Sequence, residues 1–209
     1  MTIRVLLVDD HPVVLDGLAA GLRQHGIEVT GLAMSLAQAR AILAGGNIEV
    51  VLVDIRLPDG SGTELFRLAK DPGAPAFIVL SSFATAEYLE VAMSLGARGY
   101  LLKTAKTADI VAAVRRVAAG VPAFTPEQLL EGHAANWSPL SAREARIVAR
   151  LLAGRSNAEI GADLGLSTKR VEAYLTRLFE RYDVASRTEL ALRAQAEGWL
   201  DLPTAEETS

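Results

Sequence analysis

The stretch RVLLVDD, residues 4–10, ends a short apolar run in two carboxylates, and the same arrangement returns down the chain. VVLV closes on Asp54, FIVL on Ser81, and GYLL on Lys103. In a parallel α/β sheet the downstream ends of the strands share one edge, so these scattered residues converge on one place. Three carboxylates, Asp9, Asp10 and Asp54, repel one another unless a cation stands among them, and oxygen donors favour a hard ion such as Mg²⁺.

Working outward, the first 120 residues alternate short apolar runs with amphipathic segments, a βα repeat five times over. Strands are expected at 4–8, 29–33, 50–53, 77–80 and 99–101. Helices are expected at 13–25, 36–44, 63–69, 87–95 and 109–119. Such a repeat predicts a flavodoxin-like (βα)5 fold with a parallel sheet covered on both faces. Pro122, Pro126, Gly132 and Pro139 break the rhythm, so 121–139 reads as an interdomain linker with room for a short helix at 126–130.

Beyond the linker the pattern is wholly helical. Ser141-x-x-Glu144, Ser156-x-x-Glu159 and Ser186-x-x-Glu189 each carry the capping-box spacing, and Ser167 is a fourth N-cap. Four helices therefore form an all-α domain over 140–202, and PTAEETS at 203–209 reads as a disordered tail. Within it, 156–182 reads as helix, turn, helix: Gly165 supplies the turn, while Val171, Leu175 and Leu178 share the buried stripe of the second helix.

The bulk numbers agree with two small domains. The 209 residues are half hydrophobic and include no cysteine, which excludes disulfides, thiolate metal sites and a cysteine nucleophile. No apolar stretch reaches membrane-spanning length, and the N-terminus meets charge too early for a signal peptide, so a cytoplasmic protein without membrane attachment is expected. The net charge of -4 is unevenly spread: 138–196 carries ten Lys or Arg against seven Asp or Glu, a mildly basic region suited to nucleic acid.

VDDH at 8–11, VDIRLPDGSG at 53–62, VLSS around Ser81 and GYLLK ending at Lys103 resemble a response-regulator receiver domain. The block 140–190 resembles the LuxR-type helix-turn-helix, and the two together resemble the NarL/FixJ class of two-component response regulators. The resemblance implies that Asp54 takes a phosphoryl group from a sensor histidine kinase. Asp9, Asp10, Asp54 and the Ile55 carbonyl would hold Mg²⁺, and Ser81 and Lys103 would read the phosphoryl oxygens. Tyr100 would act as the switch aromatic, turning inward when Ser81 moves. Phe83 is expected to shield the phosphate from water.

For the second domain the resemblance implies binding to promoter DNA with inverted symmetry, as a homodimer paired through Leu190, Ala191 and Ala194 of the last helix. Ser167 and Thr168 open the reading helix; Glu172, Ala173 and Thr176 would face base edges, and Lys169, Arg170 and Arg177 phosphates. Enzymatic readings fare worse. A phosphatase of the haloacid dehalogenase type needs a second acid where Arg56 stands, and a nucleotide hydrolase needs a Gly-Lys pair that the chain lacks. The chain is expected not to be an enzyme. The alternative is a DNA-binding regulator whose receiver answers to a ligand or partner without phosphorylation.

Overall fold

The computed structural model describes residues 2–70, 73–82, 86–134, 140–201 and 204 of the 209. The chain divides into two compact units, 1–137 and 138–209.

In the first unit, strands and helices alternate as β1 (Arg4–Val8), α1 (Pro12–Gln24), β2 (Glu28–Ala33), α2 (Leu36–Ala44) and β3 (Val50–Asp54). A two-residue hairpin, β4 (Arg56–Leu57) and β5 (Gly60–Ser61), leads into a 3-10 helix at Gly62–Lys70. Then come β6 (Ala76–Ser81), α3 (Ala86–Ser94), β7 (Gly99–Leu102), α4 (Thr107–Ala118) and α5 (Pro126–Ala134). The five long strands form one parallel sheet in the order β2-β1-β3-β6-β7, a flavodoxin-like arrangement whose direction of winding reverses between β1 and β3.

Strand side chains alternate between two buried faces. Val5, Leu7, Val50, Leu52, Ile78 and Leu80 pack with Leu15 and Leu22 of α1 and Ile110 and Val114 of α4. Leu6, Val51, Val53, Phe77 and Val79 are equally buried, and the Phe77 ring lies 4.9 Å from that of Phe66 in the 3-10 helix. Burial on both faces explains why β1 and β3 read as unbroken apolar runs. The helix expected at 63–69 winds more tightly than an α-helix. Its apolar residues recur at intervals of three, Leu65 with Leu68 and Phe66 with Ala69, which suits three residues per turn.

The stretch expected as a linker at 121–139 contributes in part to the first unit. Ala123 bridges to Gly99 beside β7, with its amide donating to the Arg98 carbonyl at 2.7 Å. Helix α5 is nine residues long, more than the five expected. Its start is a capping box missed in the sequence: Gln128 N donates to the Thr125 hydroxyl (3.2 Å), and Thr125 N donates to the Gln128 side chain (2.9 Å). The same Gln128 donates its Nε2 to the Tyr100 carbonyl at 3.1 Å, which ties the helix to β7.

The second unit is all-helical: α6 (Ala142–Leu152), α7 (Asn157–Leu164), α8 (Thr168–Arg181), α9 (Arg187–Ala196) and a 3-10 turn at Trp199–Asp201. Ser141 and Ser156 form complete capping boxes with Glu144 and Glu159. At Ser186 the serine accepts the Glu189 amide, but the Glu189 carboxylate reaches one residue further back, to Ala185 N at 2.8 Å. Gly165 adopts the left-handed conformation expected of the turn, with φ of 65°. Gly161 lets α7 close on the start of α8, because a Cβ there would meet the Leu166 carbonyl at 2.6 Å.

One expectation for this unit is corrected by its packing. Leu190 and Ala194 lie inside the core with Ile147, Ile160, Val171 and Leu178, and Ala191 packs half-buried against it. Leu190 and Ala194 hold α9 to its own domain and have no face free for a second copy, whereas Ala191 keeps part of its surface open. The large hydrophobic residue that α9 exposes is Leu192, 64% exposed. The expected disordered tail at 203–209 lies outside the described residues, save Thr204.

Candidate functional site

The sheet order brings the strand-end residues together as expected. Asp9 follows β1, Asp54 ends β3, Ser81 ends β6 and Lys103 follows β7, all on one edge. Asp9 and Asp54 are buried. The Lys103 ammonium lies 2.7 Å from Asp9 Oδ2 and 2.7 Å from Asp54 Oδ2. Burial pushes the Asp54 carboxyl above the ordinary aspartate range; Lys103 pulls it back, and the charge of Asp9 adds to the rise. For Lys103 itself burial works toward a lower pKa, but Asp54 and Asp9 outweigh it and the ammonium is held more firmly than usual.

Asp10 and His11 complete the group. The His11 amide donates to Asp9 Oδ1 at 2.9 Å, and its Nδ1 stands 3.0 Å from that oxygen and 2.6 Å from Asp10 Oδ1. Asp9, Asp10, His11 and Asp54 each offer an atom within 4.8 Å of the others, an arrangement compatible with a divalent metal. Three carboxylates against one ammonium leave negative charge in excess, and Asp10 Oδ1 is a buried atom without a directed hydrogen bond. These residues fit a divalent cation. The Ile55 carbonyl, expected as a further ligand, instead accepts the Gly62 amide at 2.7 Å, which leaves it one lone pair.

Tyr100 is buried, with its phenol hydrogen bonded to Ser81. Burial pushes that phenol up to about 12, with the Ser81 bond opposing and the charge of Asp54 adding. It already stands inside the domain, neither on the outside awaiting an inward turn nor with a solvated hydroxyl. The site opens as a pocket of about 280 Å³ lined by Asp10, His11, Asp54, Lys103 and, unforeseen in the sequence, Tyr88. Tyr88 lies in an ordinary amphipathic helix, and no signal in the sequence sets it apart. Phe83 falls outside the described residues.

The loop after Asp54 shapes the site from below. A Cβ at Gly62 would sit 1.9 Å from the Asp54 carbonyl oxygen, so only glycine allows this crossing. Asp59 accepts the Leu36 and Ala37 amides at 2.8 and 3.0 Å, and these bonds hold its carboxyl below the usual range while fixing the start of α2.

In the second unit, α8 turns Val171, Leu175 and Leu178 into the core. Ser167, Thr168, Lys169, Arg170, Glu172, Ala173, Thr176 and Arg177 are exposed, as expected. Arg177 lies along its own helix, its guanidinium carbon 4.6 Å over the Tyr174 ring. A groove of about 460 Å³ beside Glu172 and Thr176 includes Ser156, Asn157 and Arg187; of these the sequence reading gives a role only to Ser156, as a helix cap. Arg187 fixes that wall by donating to Asn157 Oδ1 at 2.8 Å and to the Arg155 carbonyl.

Residues 5–115 match the response regulator receiver domain family, and residues 138–194 match the luxR family of bacterial regulatory proteins. The chain is a two-component response regulator. Over 94% of its length this regulator is 37% identical to the transcriptional regulatory protein UhpA of Salmonella typhimurium, matched over its whole length. It is 33% identical to LiaR of Bacillus subtilis over 92% of its own chain and 96% of that protein. Among solved structures it resembles ChrA, a response regulator of a heme-sensing two-component system, with 30% identity and a TM-score of 0.51 over 95% and 98% of the two chains. RcsB of Salmonella enterica serovar Typhimurium, solved bound to promoter rprA, shares the fold at 20% identity and a TM-score of 0.64, over 97% and 100% of the chains. The regulator therefore belongs with transcriptional regulators of the NarL/FixJ type and not with enzymes. Among the described residues no helix is long and apolar enough to cross a membrane.

Proposed function

We propose that this response regulator accepts a phosphoryl group on Asp54 from a sensor histidine kinase and, once phosphorylated, pairs with a second copy to bind promoter DNA in the cytoplasm. The observation that carries the reading is the Lys103 ammonium, 2.7 Å from both Asp9 and Asp54 at the sheet edge. A carboxylate oxygen of Asp54 attacks phosphorus as the imidazole of the kinase departs. Lys103 pairs with one phosphoryl oxygen and Ser81 donates to another, shifting its hydrogen bond away from Tyr100. Asp9, Asp10 and Asp54 would hold Mg²⁺, with the remaining lone pair of Ile55, and the ion would neutralise charge developing on the phosphoryl oxygens.

Exposed Ser167, Thr168, Lys169, Arg170 and Arg177 supply phosphate contacts, and Glu172, Ala173 and Thr176 face base edges. Pairing on an inverted repeat uses the outer side of α9, where Leu192 is exposed, in place of Leu190 and Ala194. The deciding experiment is incubation of wild type and Asp54→Ala with acetyl phosphate and Mg²⁺, followed by intact mass, sedimentation and DNA binding. Wild type gains one phosphoryl group, sediments as a dimer and binds DNA more tightly; Asp54→Ala does none of these. Phosphoryl gain by Asp54→Ala would sink the assignment.

A further inference from the structure

We propose that His11 makes the acidic site a mixed oxygen and nitrogen metal site, able to take Zn²⁺ or Mn²⁺ through its imidazole beside Mg²⁺ on the carboxylates. The inference rests on the metal reading of the receiver site and adds a ligand to it. An imidazole separates these ions more sharply than carboxylates do, since Zn²⁺ accepts nitrogen readily while Mg²⁺ holds to oxygen.

The geometry supplies the argument. In octahedral coordination with bonds of about 2.1 Å, neighbouring donors stand about 3 Å apart. His11 Nδ1 lies 3.0 Å from Asp9 Oδ1 and 2.6 Å from Asp10 Oδ1, close to that spacing on both sides. The approach to Asp10 is not a directed hydrogen bond: Asp10 Oδ1 is buried without one. A cation shared by Nδ1 and the two carboxylates would take the place of the His11 contact as the counter-charge of that oxygen. The backbone that carries the ring is also held in place, because the His11 amide is bonded to Asp9 Oδ1 at 2.9 Å and Pro12 begins α1 immediately after it. With its side chain 64% exposed, His11 can meet an ion arriving from solvent without disturbing the core.

The test uses the full chain and metal alone. Mn²⁺ bound to wild type shows, in pulsed electron paramagnetic resonance, the coupling of one directly bonded nitrogen. That coupling disappears in His11→Ala and survives in a His25→Ala, His133→Ala double variant. Calorimetric titration with Zn²⁺ shows His11→Ala binding about tenfold more weakly, whereas its Mg²⁺ affinity stays within about twofold of wild type. Bound Mn²⁺ without nitrogen coupling, or an equal loss of Mg²⁺ and Zn²⁺ affinity, overturns the role of His11 and leaves the acidic site standing. Failure of wild type to bind either Mg²⁺ or Mn²⁺ overturns the metal reading itself and this inference with it.

Discussion

Glu144 closes the capping box of α6 and also accepts both terminal nitrogens of Arg181, at 3.0 and 3.2 Å. Burial works against its ionised form, but the Ser141 amide and hydroxyl and the Arg181 charge outweigh it, so its carboxyl lies below the usual glutamate range. Since the folded value is below the unfolded one, the stabilisation is complete above about pH 4.5 and is lost as pH falls through the lowered value. Glu144→Gln should cost the second unit about 2 kcal/mol at pH 7, less than a fully buried pair because the Arg181 side chain is a third exposed. It should also flatten the fall in stability between about pH 5 and 3. Urea melts across that range check it; an unchanged acid slope would count against the pair. The capping half of this arrangement was legible from the Ser-x-x-Glu spacing. The ion pair was not, because its partner lies 37 residues away on another helix.

Helix α8 was legible as an element because its buried stripe keeps the helical period, and the structure buries the three residues that the spacing selects. Helix α9 was read less well. Its apolar positions were visible, but sequence periodicity cannot say whether an apolar side meets its own domain or another molecule, and Leu190 and Ala194 proved to serve the former. Helix α5 outruns its sequence signal because the Thr-x-x-Gln cap stands in a stretch rich in breakers. For α8 the exposed face leads to a contrast between two variants. Lys169→Ala should weaken binding to all DNA sequences and lower the salt slope by about 1, as the loss of one phosphate contact requires. Glu172→Ala should relax preference at one base position, worth about 1–3 kcal/mol of discrimination, without changing that slope. Titrations on specific and random duplexes at several salt concentrations separate the two; an equal loss on both duplexes for Glu172→Ala removes its base-reading role.

For the whole molecule, the division into a βα repeat and a helical block was readable from the switch in hydrophobic period, and the sheet-edge convergence of Asp9, Asp54, Ser81 and Lys103 followed from it. The position of the boundary was not. Proline and glycine mark where a helix stops, but they do not say whether the chain between them is loose or docked, and 121–134 is docked. Hydrogen bonds from Ala123 N to the Arg98 carbonyl and from Gln128 to the Tyr100 carbonyl depend on tertiary placement that no local spacing encodes.

That docking also bears on solubility. Strand β7 is the last in the sheet, and an open strand edge is a template on which further chains can pair. In this regulator the Arg98 and Tyr100 carbonyls on that edge are occupied by the segment that follows α4, and the Arg98 guanidinium pins the segment by donating to the Gly120 carbonyl at 2.6 Å. A receiver fragment ended at Gly120 would bare the edge and should self-associate as its concentration rises, whereas one ended at Ala134 should sediment as a single species. Equal behaviour of the two fragments in the ultracentrifuge would show that the edge needs no cover. The docked segment is thus a selvedge that keeps the sheet from unravelling into its neighbours.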